Sequence, residues 1–81
     1  MDRHALAQAL DGAGVPRNAY LIEGVREFGD VPPLDFYFLR ERGGRWQVGV
    51  FERGVYDPFV EHDTEEAACA DLYDRLTWNT G

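Results

Sequence analysis

Lysine is absent from this chain. Its eight basic side chains, the two histidines apart, are all arginines, set against fifteen aspartates and glutamates. The formal charge of −7 is the opposite of the basic footprint that displaces counterions from a phosphate backbone, so nucleic acid is not an expected partner. The missing lysines, together with abundant Ala, Gly, Val and Asp, point to a GC-rich coding sequence, which is a matter of composition and not of function. Cysteine is nearly absent as well. Cys69 stands alone, which excludes an internal disulfide and fits a reducing compartment. No apolar run approaches the ~20 residues of a membrane span. Asp2, Arg3, His4 and Gln8 interrupt the start of the chain, so it does not offer the apolar stretch of a secretory signal. A cytoplasmic location, with no membrane partner, is the expectation.

Catalytic motifs are equally scarce. His4 and His62 are the only histidines, and neither has a partner at metal-ligand spacing; HxH, HExxH and CxxC patterns are all missing. Glu61-His62-Asp63 is polar, but neighbours on a strand alternate faces and cannot converge on one ion. Cys69 and His62 invite comparison with a thiol nucleophile and its base, yet Cys69 falls on an apolar helical stripe, where a thiol is inert. Gly12-Ala13-Gly14 follows a helix and lacks both the dinucleotide fingerprint and a phosphate-loop lysine. No two carboxylates are forced together as an acid–base pair. Glu52-Arg53 resembles an acid beside a guanidinium, but adjacent strand residues face opposite ways. The sequence therefore predicts no catalytic residue, no cofactor and no metal.

What is present is a small core. The 81 residues make one domain, ordered from about residue 3 to 77, that buries roughly 60–65% of its unfolded surface. Aromatic and aliphatic content is high enough to exclude disorder. Asp2 caps a first helix from about Arg3 to Ala13, with Leu6, Ala9, Leu10 and Ala13 on one stripe; Gly12, Gly14 and Pro16 end it. Tyr20 to Val25 reads as a strand, and Arg26 to Pro33 as a loop broken by Gly29-Asp30 and Pro32-Pro33. Phe28 in that loop either tucks beneath it or serves as a contact residue.

Leu34 to Arg42 reads as a strand with Leu34, Phe36 and Phe38 on one face and Tyr37 and Leu39 on the other. Gly43-Gly44 is a tight turn into a strand from Arg45 to Arg53, with Trp46, Val48 and Val50 on one face and Phe51 on the other. Gly54 ends it, and Val55 to Glu61 reads as a fourth strand whose Pro58 marks an edge. Asp63 or Thr64 caps the last helix, Asp63 and Glu66 have capping-box spacing, and Cys69, Leu72, Tyr73 and Leu76 form its inner stripe. The tail from Thr77 to Gly81 is expected to fray, or to pack back through Trp78.

The expected architecture is α+β: a three- to four-stranded antiparallel meander with the N- and C-terminal helices on one face. With Tyr37, Leu39, Trp46, Val48 and Val50 under the helices, Phe36, Phe38 and Phe51 lie on the open face. There they form an exposed interface patch or simply pair across strands.

A helix ending in Gly14-Val15-Pro16, the aromatic strand start at Tyr20, Trp46-x-Val48, Glu52-Arg53-Gly54, Thr64-Glu65-x-x-Ala68-Cys69 and a closing Leu72…Leu76 helix together resemble small immunity-type proteins of bacterial, particularly actinobacterial, polymorphic toxin systems. The chain departs from that pattern in its longer Arg26–Pro33 loop and in His62, where an aromatic would be expected. The resemblance implies a cytoplasmic protein that binds and blocks one cognate toxin. An acidic protein suits a basic toxin surface. The candidate contacts are Phe28, Phe36, Phe38 and Phe51, with Glu61, Asp71 and Asp74. Self-association into a homodimer, or an adaptor role, is the other reading; a small enzyme is a distant third.

Overall fold

The computed structural model describes residues 1–78. Helix α1 (Arg3–Gly12) leads through a short 3-10 turn (Arg17–Ala19) to strands β1 (Tyr20–Ile22), β2 (Asp35–Arg42), β3 (Arg45–Glu52) and β4 (Val55–His62), and the chain closes with helix α2 (Glu65–Thr77). The α+β class and the consecutive strand order β1-β2-β3-β4 are as the sequence predicts. The tail expectation for residues 79–81 lies outside the described residues, and Trp78 does not pack back, being 81% exposed.

Both helices start on side-chain caps. Asp2 accepts from the Ala5 amide at 2.8 Å, and Thr64 accepts from the Ala67 amide at 3.1 Å, each satisfying an amide that the first turn leaves unpaired. Thr64 takes the cap because Asp63 is held in an ion pair with Arg45. The Asp63–Glu66 capping box therefore does not form. Arg3 joins the two helix starts: its amide and Nε donate to Glu65 at 2.9 and 3.0 Å, and its guanidinium lies 5.2 Å from the Trp46 ring centre.

The helices cover one face of the sheet. Leu6, Ala7 and Leu10 from α1 and Ala68, Cys69 and Leu72 from α2 close on Tyr20, Ile22, Leu39 and Val48. Ala7 replaces Ala9 and Ala13 on the buried stripe of α1. Ala9 is half-buried and Ala13 is the exposed C-cap, so Leu6, Ala7 and Leu10 are the residues α1 gives to the core.

One feature of the predicted meander is corrected. β1 runs parallel to β2, with Tyr20 opposite Tyr37 and Ile22 opposite Leu39, so the sheet is mixed. A parallel return needs a crossover of roughly a dozen residues, and segment 23–34 supplies it. The expected strand stops at Ile22 because the chain turns there, with the Val25 and Arg26 amides both donating to the Ile22 carbonyl and Gly24 at φ +82°. Arg26 then anchors the crossover to α1 and β1, donating to Asp11 at 2.9 and 3.1 Å and to the Tyr20 hydroxyl at 2.6 Å.

The remaining connections are two-residue hairpins. Gly43 and Gly44 have φ +60° and +81°, and Arg53 and Gly54 have φ +54° and +80°, the paired positive values of a type I′ turn. Arg53 is therefore a turn residue and not the last of its strand. This also explains Leu34. In the β2–β3 register Asp35 faces Glu52, so the partner of Leu34 would be Arg53, which the turn has taken. Leu34 is left outside β2 and 91% exposed. β4 forms the sheet edge, as Pro58 suggested, and carries a bulge: Val48 faces Val60 while Gly49 faces Pro58, leaving Phe59 as the extra residue. No helix among the described residues is long and apolar enough to cross a membrane.

Candidate functional site

The thiol and imidazole that resembled a catalytic pair have structural settings. Cys69 is fully buried in the core, and burial pushes its thiol up to about 11, so it is protonated at neutral pH. His62 Nε2 lies 2.7 Å from Asp71 Oδ2, and Asp71 Oδ1 accepts from Arg75 Nε at 2.7 Å. Arg75 in turn sits 4.4 Å over the Phe59 ring. This chain of contacts clamps α2 to β4. Asp71, only 16% exposed, is consumed by it. Among the described residues no group of His, Cys, Asp and Glu is arranged to hold a metal.

On the open sheet face the four candidate phenylalanines gather into one cluster. Phe36 and Phe51, direct cross-strand partners, stack with ring centres 4.8 Å apart. Phe28 meets Phe36 edge-on at 4.8 Å, so it tucks beneath its loop. Tyr56 from β4 sits edge-on to Phe51 at 4.8 Å and to Phe38 at 5.1 Å. Over them lies a polar ladder. The Arg40 guanidinium is 4.9 Å from the Phe38 ring and 4.8 Å from that of Tyr56; its Nε donates to Gln47, and Gln47 donates to Glu61, at 2.8 and 2.9 Å. Phe38 is fully buried and Phe36 nearly so, although neither helix covers this face. The cluster is a second small core in which Phe36 and Phe38 are buried, with Tyr56 41% exposed at its surface. Glu61, which also pairs with Arg45, is part of its cover.

The helix-side face is different. α2 ends at Thr77 before it reaches the far end of the sheet. Two cross-strand rows remain there: Tyr37–Val50–Asp57, and beyond it Asp35–Glu52–Val55. The resulting cleft, about 520 Å³, is lined by Asp35, Phe36, Tyr37, Val50 and Glu52 from the sheet, by Leu76 from α2, and by Asn18, Ala19 and Pro33 from the segments beside β1 and β2. A shallower hollow of about 340 Å³ adjoins it across Tyr37, bounded by Asp74, Arg75 and Trp78. The two share Tyr37 and make one open groove of mixed lining, with Tyr37, Val50 and Leu76 as its apolar part.

The charge of this groove is unbalanced. Asp35 and Glu52 stand directly opposite each other, an arrangement that repels. Neither they nor Asp57 nor Asp74 has a hydrogen-bond or ion-pair partner among the described residues. Most other acids are engaged, as Asp11, Glu23 and Glu65 are by Arg26, Arg42 and Arg3. Of the described arginines only Arg53, in the turn beyond Glu52, lacks such a partner. Arg75, at the edge of the adjoining hollow, is committed to Asp71, so the groove's own carboxylates, Asp35, Glu52 and Asp74, stay unpaired among the described residues.

Of the candidate contacts read from sequence, Asp74 and Phe36 border this groove. Phe28, Phe38 and Phe51 lie in the open-face cluster, where the Phe36 ring makes its aromatic contacts; Glu61 and Asp71 lie in separate ladders. Asp35, Tyr37, Val50 and Glu52 were missed as a group. The signal existed: the Gly43-Gly44 turn fixes Arg42 against Arg45, and counting outward sets Asp35 against Glu52. What sequence could not supply was where α2 would stop covering the sheet. No family model, curated protein or solved structure matches the chain.

Proposed function

We propose that this chain is a non-catalytic cytoplasmic binding protein that neutralises a cognate protein toxin by direct contact. The observation that carries the reading is the groove at the end of α2, where, among the described residues, the carboxylates of Asp35, Glu52 and Asp74 have no cation paired with them. A surface of that kind is complementary to a basic cleft, the feature a nuclease or other polyanion-processing toxin needs for its own substrate. Opposed charge also accelerates encounter. The buried, protonated Cys69 and the clamping role of His62 and Asp71 favour binding over catalysis. The resemblance to immunity-type proteins supplies the toxin as the partner.

The test is co-expression with the product of the neighbouring gene. The reading requires that the two proteins co-purify and that this chain restores growth to cells expressing its neighbour. Failure of both complex formation and rescue overturns it.

A further inference from the structure

We infer that the groove receives an arginine side chain of the partner protein, presented on a segment with an apolar residue beside it. The inference rests on the proposed binding role and specifies its chemistry. Asp35 and Glu52 are directly opposed on neighbouring strands. Side chains at such positions start about 5 Å apart, so two carboxylates can address the two edges of one planar guanidinium. An ammonium is a compact point charge without that fork. The aromatic ring of Tyr37 shares the floor with Val50, giving a face for the guanidinium and an apolar bed for its methylene stem. Leu76 and the exposed Trp78 flank it and suit an aliphatic neighbour.

The molecule already uses this recognition set. Its own Arg75 is held by the Asp71 carboxylate at 2.7 Å and lies 4.4 Å over the Phe59 ring. The groove offers a carboxylate pair and a ring in the same way; Arg75 borders the adjoining hollow but is held by Asp71, and no arginine among the described residues pairs with Asp35 or Glu52. The occupant is a protein side chain, because the −7 charge opposes both nucleic acid and anionic lipid.

Two opposite effects on one variant make this testable. Asp35→Asn/Glu52→Gln relieves the repulsion, so the free protein should melt no lower than wild type. The same change should remove arginine binding. The experiment is an amide NMR titration of the full chain with three blocked peptides, acetyl-Gly-Arg-Leu-amide and its Lys and citrulline counterparts. The expected result is saturable shifts confined to the groove and its neighbours, residues 18–19, 33–37, 50–52 and 72–78. Affinity for the Arg peptide should exceed that for the Lys peptide about fivefold, with no binding of the citrulline peptide. The double variant should lose at least tenfold, and the single Glu52→Gln variant an intermediate amount. Overturning results are equal response to Arg and Lys, shifts scattered over the surface, no saturable response, or unchanged binding by either variant. A failed titration beside a retained toxin complex sinks the groove assignment alone. A positive titration without complex or rescue sinks the toxin reading and leaves the groove standing.

Discussion

Gly49 offers a sharp perturbation because almost nothing near it can yield. It sits in β3 where β4 bulges, opposite Pro58. A Cβ built there would lie 2.6 Å from Pro58 Cα and 2.7 Å from Phe38 Cζ, and closer still to the Asp57 carbonyl oxygen. Two of the three obstacles are backbone atoms of the neighbouring strand. The third is a fully buried ring held under Tyr56 and Arg40. Overpacking a core costs about 1–3 kcal/mol, occasionally more. With backbone in the way, Gly49→Ala should cost about 3 kcal/mol. For a domain of this size total stability is roughly 4–12 kcal/mol, and each kcal/mol moves Tm by about 4–8 °C. The variant should therefore melt roughly 12–24 °C below wild type by circular dichroism. Gly12→Ala is the control. Gly12 is the last residue of α1 and has nothing within 4 Å of the added carbon, so the helix-propensity gain of about 0.5–1 kcal/mol should appear as a slight rise. A Gly49→Ala variant within about 0.5 kcal/mol of wild type, or equal losses at both positions, would refute the bulge packing described here.

Three further outcomes follow from the same geometry. Arg53 occupies the left-handed region at φ +54°, where asparagine is better tolerated, so Arg53→Asn should stabilise by about 0.5 kcal/mol and Arg53→Val should destabilise by about 1 kcal/mol or more, read from urea midpoints. Burial raises the Cys69 thiol from 9.0 to about 11; the unfolded chain then releases its proton first, so the stability present below pH 9 should fall as pH rises toward 11. Cys69→Ala should flatten that part of the profile. β4 exposes an edge, but Pro58 and the bulge at Phe59 interrupt its pairing pattern, and sedimentation at high concentration should report a monomer.

How much of this was legible in the sequence depended on range. Local chemistry was readable: Asp2 caps α1, the α2 cap was narrowed to Asp63 or Thr64, Gly43-Gly44 turns a hairpin, and alternation assigned Leu39 and Val48 to the helix side and Phe36 and Phe51 to the other. Non-local pairing was not. Tyr20–Ile22 looks the same whether it runs with β2 or against it; the long 23–34 connection permits the parallel pairing, and Arg26 anchors that connection to Asp11 and Tyr20. The bulge at Phe59 leaves no composition signal. The open-face aromatics were placed correctly, but their burial depends on Arg40, Tyr56 and the returning Phe28 loop arriving together. The groove was hidden for a related reason. Its carboxylates are scattered through the sequence, and they become one feature only when the strands align and α2 ends short of them.

The central claim is that this chain works by presenting the Asp35–Glu52 groove to a basic protein partner. Calorimetric titration of the neighbouring gene product with wild type and with Asp35→Asn/Glu52→Gln tests it most directly. The account predicts a complex whose affinity drops at least tenfold in the variant, about 1.4 kcal/mol, although the variant itself melts no lower than wild type. Undiminished affinity in a well-folded variant would contradict it.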